Sequence, residues 1–439
     1  MNRRFNLRAP SGSRIISRML MLTSFAAAVL VAACGEKLES GAGCPIVCPT
    51  PNVQLKDTTV EAIAIDSSLA GFPSIGEEEP LLLASRGDTL DTRVIFRFDS
   101  IGKTYPHPSA PADSFVNHID SATIRIVLDT NTVAGVPGLP TTPVTVEMYD
   151  VDGAASDTVA ADLLPLFTPN RLIGSKTFLP DSLAKDTLLL PVAPATVLSK
   201  ITSGSRLRVG LRLVSSASTQ LRIQASTVSG AKLRFKPASD TAVTVSLLSQ
   251  TPTDSTLSQL RTDLEDYVIT AKNLAPRQSN TIAIGGFPAY RTYMRFDLPS
   301  RIVDSSTVVR ATLYLTQFPM PNSPNAHDSL GIYPFAITAG TVLTDIPRLM
   351  RLVSVNTSLA TDSLRVVPSD SGARRMELVG IVRVWKNTKA EQTQRALVLV
   401  AGSEGSKPAI AAFFSSEAGS ALRPRLQLTY VPRVTLGLP

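Results

Sequence analysis

Histidine, cysteine and aromatic residues are scarce in this chain of 439 residues, with three histidines, three cysteines, one tryptophan and 5% aromatics in all. Each scarcity excludes something. His107, His118 and His327 are scattered, and His107 lies between Pro106 and Pro108, so a histidine-based mechanism has few candidates. The cysteines, Cys34, Cys44 and Cys48, all fall near the start, so neither a disulfide framework nor a zinc site with motif spacing runs through the body of the chain. There is no G-x-S-x-G, no H-E-x-x-H and no glycine loop built to cradle phosphate. The sequence therefore reads as non-catalytic, with no cofactor. Paired carboxylates converging in space are the one catalytic arrangement that it leaves open.

Long apolar runs are also scarce, and the longest opens the chain. Arg3, Arg4, Arg8, Arg14 and Arg18 make a cationic start without an acid. Residues 19–33 are apolar or small apart from Thr23 and Ser24, and they end in Val31-Ala32-Ala33-Cys34. The run is too short to span a bilayer comfortably and stops at small residues, as a cleaved export signal does. The pattern resembles the bacterial lipobox, which implies lipidation (palmitate) at Cys34 as the mature N-terminus. Gly35 is not the Asp that retains enteric lipoproteins at the inner membrane, so an outer-membrane location in the cell envelope is expected. Five of the seven net positive charges lie in residues 1–33, so the mature chain carries only +2. That removes the case for nucleic acid as a partner. Cys44 and Cys48, spaced C-x3-C, are expected to form a small disulfide in an oxidising compartment, with half of a metal site as the alternative.

Residues 34–55 are rich in Gly, Ser and Pro and read as a flexible tether. Beyond them short runs of Val, Ile, Leu, Thr and Phe alternate with Ser, Asp, Pro and Gly. Thr92–Phe98, Ala122–Leu128, Val144–Tyr149, Arg206–Val214 and Leu221–Ala225 are examples. This pattern, with 32 prolines, predicts an all-β sandwich or barrel. The chain also repeats itself. Arg93-Val-Ile-Phe-Arg-Phe-Asp99 returns as Arg291-Thr-Tyr-Met-Arg-Phe-Asp297. Leu81–Gly87 precedes the first copy and Thr281–Gly286 the second; Ser121–Ile126 and Arg310–Leu315 follow them. The reading is a divergent unit over residues 56–250 and a second over 251–439, each long enough for one β-sandwich.

The second unit resembles the DNRLRE family, which is related to the disaggregatase repeat and to carbohydrate-binding module family 96. The resemblance lies in Arg291–Leu298, Arg310–Leu315, Glu377–Trp385, Ala412–Ala418 and Arg423–Tyr430. The first unit shares the opening half but lacks the Ser-Ser-Glu and Arg-Pro-Arg-Leu close. The resemblance implies a jelly-roll type of sandwich on an exported protein, often a non-catalytic appendage that binds polysaccharide.

Several residues stand as candidates for a site. Side chains alternate along a strand, so Val94, Phe96 and Phe98 share a core face, as do Thr292, Met294 and Phe296. Arg97 and Arg295 then point the other way. Arg291, Tyr293 and Arg295 share that outward face and form the best candidate surface for an acidic polysaccharide, with cross-strand ion pairing as the plainer alternative. Trp385 follows Ile381, Val382 and Val384 and is expected to be buried. Asp150, Asp152, Gly153, Asp157 and Asp162 suggest a calcium loop, but Ala161 occupies its last ligand position and Asp-Gly is first a turn signal, so no metal is assigned. Glu77-Glu78-Glu79 reads as a solvated loop. The leading expectation is a lipid-anchored protein that binds polysaccharide. A structural or adhesive surface protein is the alternative, and a polysaccharide-degrading enzyme is the second alternative.

Overall fold

The computed structural model describes residues 55–99, 101–107, 111–130, 139–153, 159–249, 265–272, 278–337, 362–387, 395–402 and 404–432. The expected signal, the tether up to residue 54 and all three cysteines lie outside these residues. Among the described residues 23 strands form the fold. The first twelve are β1 (Lys56–Phe72), β2 (Leu81–Arg86), β3 (Leu90–Phe98), β4 (Thr104–Tyr105), β5 (Ser114–Phe115), β6 (Ile119–Val127), β7 (Val144–Asp150), β8 (Leu172–Phe178), β9 (Thr187–Val192), β10 (Leu207–Val214), β11 (Thr219–Ile223) and β12 (Lys232–Pro237). The rest are β13 (Val245–Leu248), β14 (Asp266–Lys272), β15 (Thr281–Gly286), β16 (Ala289–Phe296), β17 (Ser306–Phe318), β18 (Leu330–Ile337), β19 (Leu364–Val366), β20 (Gly372–Glu377), β21 (Ala396–Ala401), β22 (Ile410–Phe414) and β23 (Arg425–Pro432). The fold is all-β, with antiparallel sheets packed as sandwiches.

The strand period of two explains the layers. In β6, Ala122, Ile124 and Ile126 are buried while Ser121, Thr123 and Arg125 are not. Val94, Phe96 and Phe98 enter the core of the first repeat. Met294 and Phe296 enter the core of the second, beside the buried Trp385. Each fully buried Leu or Phe contributes about 2–3 kcal/mol, so these stripes drive the packing. Two helices interrupt the β pattern at equivalent places, Pro194–Ser203 before β10 and Val379–Asn387 before β21. The β2–β3 and β15–β16 hairpins both turn through a left-handed glycine, Gly87 at φ 56° and Gly286 at φ 93°.

The two repeats match pairing for pairing. β12–β6–β9 corresponds to β23–β17–β20, β3–β10–β7–β8 to β16–β21–β18–β19, and β11–β2 to β22–β15. One element departs from the tandem arrangement that the sequence suggests. β1 pairs through Lys56–Glu61 with β23 and through Ala62–Phe72 with β16, both in the second repeat. The corresponding places in the first repeat are filled from later in the chain, by β13 on β12 and β14 on β3. The repeats thus exchange strands reciprocally, and residues 56–72 and 266–272 lie on the opposite side of the boundary placed near residue 250. The registers coincide: Asp66 opposes Met294 and Asp266 opposes Phe96, and these partners occupy one position of the repeated strand. A strand's pattern specifies which face is buried but not which of two similar sheets receives it. The described residues accordingly make one compact unit.

Candidate functional site

Arg291, Tyr293 and Arg295 project from one side of β16, as alternation requires, but the face is closed. Tyr293 is 1% exposed. It packs in a second small core with Ile337, Ala396, Val398 and Val400, flanked by Leu69 and Phe335. Burial pushes its pKa up to about 12, against the pull of the Arg291 cation. Arg291 is committed elsewhere. Its Nε donates to both carboxylate oxygens of Glu404 at 3.0 and 3.1 Å, and Nη2 donates to Oε2 at 2.6 Å. The guanidinium also lies over the Phe72 ring, 4.1 Å from its centre. Burial raises the Glu404 pKa, and the bonds and charge from Arg291 oppose that rise. Arg295 is half-buried, with its backbone between β1 and β21. The expected ligand surface is therefore an ion pair beside a small core. The first repeat has the same second core, built on Ile95, Tyr149, Val151 and Tyr267. Alternation locates the outward face, and what lies on top of it is a tertiary matter.

The other candidates resolve in similar ways. Arg97 is 2% exposed and forks onto Asp99, just past the end of its strand, at 3.1 Å from Nε and 2.8 Å from Nη2. Trp385 is fully buried, packs on Phe296 and donates its indole N–H to the Ala396 carbonyl at 3.2 Å. At the Asp-rich turn to which no metal was assigned, of which Asp157 lies outside the described residues, the Lys200 ammonium lies 3.0 Å from both Asp150 and Asp152, and Arg206 Nε donates to Asp152 at 2.7 Å. Burial opposes ionisation of Asp152, but these two cations win and hold its pKa below the usual range. The two cations neutralise the Asp152 carboxylate. Among the described residues no group of three His, Cys, Asp or Glu is arranged to hold a metal, and no helix is long and apolar enough to cross a membrane.

Glu78 corrects the reading of Glu77–Glu79 as a solvated loop. It is 6% exposed and accepts the Gly76 N–H at 2.6 Å and, weakly, the Val268 N–H at 3.4 Å. Burial is the main cause that lifts its pKa to about 7, with a smaller push from Asp266. Glu78 lines a cavity of about 350 Å³ where the chain passes between the repeats. Phe72, Pro73, Ile75, Val268, Phe287 and Pro288 supply apolar walls. Phe72, beneath Arg291, joins this cavity to the Arg291–Glu404 pair. No spacing rule marks Glu78 out, since it is buried by the crossing of distant strands.

No family model matches the chain, and no curated protein matches it. Among solved structures, the chain aligns with one described as a candidate secreted protein of Parabacteroides distasonis ATCC 8503. The identity is 9% over 86% of this chain and 100% of that one, with a TM-score of 0.22. It also aligns with the infectious bursal disease virus Gt strain structure, at 11% identity over 89% of this chain and 81% of that one, with a TM-score of 0.10. Overlaps this loose carry no functional argument.

Proposed function

We propose that this chain is an exported, non-catalytic protein of the cell envelope, lipid-anchored to the outer membrane through Cys34, that holds an acidic polysaccharide at the cell surface. The observation that carries this reading is a lipobox-like cysteine followed by two β-sandwich repeats. The resemblance of the second repeat to DNRLRE domains supplies the ligand class.

A second reading, a structural or adhesive surface protein without a sugar ligand, is favoured by one observation. The Arg291–Tyr293–Arg295 face is occupied by an ion pair and a small core rather than left open. The two readings separate in native affinity electrophoresis of the mature chain, made soluble by Cys34→Ser, in gels of neutral and acidic polysaccharides with and without Ca²⁺. Retardation in an acidic gel is the expected result; a folded protein that runs freely in every gel sinks the sugar reading. The anchor has its own test: labelled palmitate is incorporated by wild type and not by Cys34→Ala, and equal labelling of both would refute lipidation there.

A further inference from the structure

The cavity beside Glu78 exists because the repeats exchange strands. Phe72 ends β1, Ile75 and Glu78 follow it, Val268 belongs to β14, and Phe287 and Pro288 form the β15–β16 connection. Both exchanged strands thus supply wall. At about 350 Å³ the space falls within the range of small-molecule pockets, and an apolar cavity of about 150 Å³ already takes benzene. Among the described residues that line it, Glu78 alone carries a charge.

That charge is negative, and so are its neighbours. Glu78 Oε2 accepts the Gly76 N–H at 2.6 Å, but Oε1 has only the long contact to the Val268 N–H at 3.4 Å, so most of its capacity to accept is open. Two further carboxylates are fastened close by. Asp266, two residues before Val268, accepts the Ser226 N–H and hydroxyl at 2.7 and 2.9 Å, and Glu79 accepts from the adjacent Thr227. All of these donors are neutral. Among the described residues none of Glu78, Glu79 and Asp266 is in an ion pair. Arg291 lies over the Phe72 ring, but Glu404 takes up its charge. A buried carboxylate without a counter-charge repels anions and favours a cation, and apolar walls favour one that brings an apolar body with it.

We propose that this cavity binds a small organic cation, an ammonium group on an aromatic or alicyclic body, with Glu78 as its counter-ion and Phe72, Phe287 and Pro288 against the body. The site is separate from the polysaccharide reading and does not rest on it.

Isothermal titration of the mature Cys34→Ser chain with phenethylamine, phenethyl alcohol and hydrocinnamate tests the site, at matched ionic strength and at pH 8, above the Glu78 pKa of about 7. Saturable binding of the amine is expected, with the neutral alcohol and the anionic acid at least tenfold weaker. Glu78→Gln should weaken the amine at least tenfold and leave the alcohol as it was. Ala160→Trp, at a half-buried position of the wall, should block amine and alcohol alike. Thermal melts check that both variants are folded, and the comparison of amine with alcohol in the wild-type background decides the charge preference without any variant. No saturable binding of the amine overturns the site. Equal binding of amine and alcohol overturns the cation. Amine binding that survives Glu78→Gln overturns the counter-ion, and amine binding that survives Ala160→Trp overturns the cavity as its place.

Discussion

Asp66 grips Ser416 across 350 residues of chain, accepting both its backbone N–H and its hydroxyl, the latter at 2.7 Å. Asp266 grips Ser226 in the same way, at 2.7 Å from the N–H and 2.9 Å from the hydroxyl. Each aspartate lies on an exchanged strand, and each serine follows the equivalent strand of the receiving repeat, β22 for Ser416 and β11 for Ser226. The clasp therefore fastens the exchange at both ends. It also gives the Ser-Ser-Glu close of the second repeat a physical role, which Ser226 performs in the first.

Removing a clasp leaves a serine N–H and hydroxyl without their acceptor. Asp66→Ala and Asp266→Ala should each lower stability by about 2 kcal/mol in urea unfolding. A loss below a few tenths of a kcal/mol in both would show that the clasps do not hold the strands.

Strand exchange should also make the repeats unfold together. Trp385 is the only tryptophan and is buried in the second repeat, so its fluorescence reports that repeat alone. Its denaturation curve should superimpose on the far-ultraviolet circular dichroism of the whole chain. Two separated transitions would mean that the repeats fold independently despite the shared strands. Trp385→Ala should cost about 3–5 kcal/mol and lower both curves together.

Glu78 should make the protein more stable as pH falls toward 5. Its folded pKa of about 7 lies above the ordinary 4.5, so between those values the native state binds more protons than the unfolded chain. Stability from this group is full below about 4.5, declines as pH rises through 7 and is level beyond. Asp266, raised by burial from 3.8 to about 6, acts with the same sign over a lower window. Thermal melts from pH 8 to 5 should show the gain, and Glu78→Gln should remove most of it. A variant whose melting temperature rises as steeply as wild type over that range would assign the effect to other groups.

The Arg291–Glu404 pair should matter for stability and not for sugar. Arg291→Ala strands a carboxylate that is 8% exposed, at a cost of about 3 kcal/mol. Arg291→Met with Glu404→Leu should recover part of that loss. If retention in an acidic polysaccharide gel vanished while the melting temperature held, the β16 face would be the ligand site after all.

The sequence by itself determined the all-β class, the repeat and the inward faces of its strands. Alternating side chains and turn residues are local signals, and Phe96, Met294 and Trp385 are buried where those signals place them. It also carried the lipobox-like start, a linear motif. Tertiary structure decided the rest. Which sheet receives β1 or β14 depends on pairing energies between two similar edges, and both choices satisfy the same pattern. Whether an outward residue meets solvent depends on what packs over it, which is why Tyr293 and Glu78 are buried.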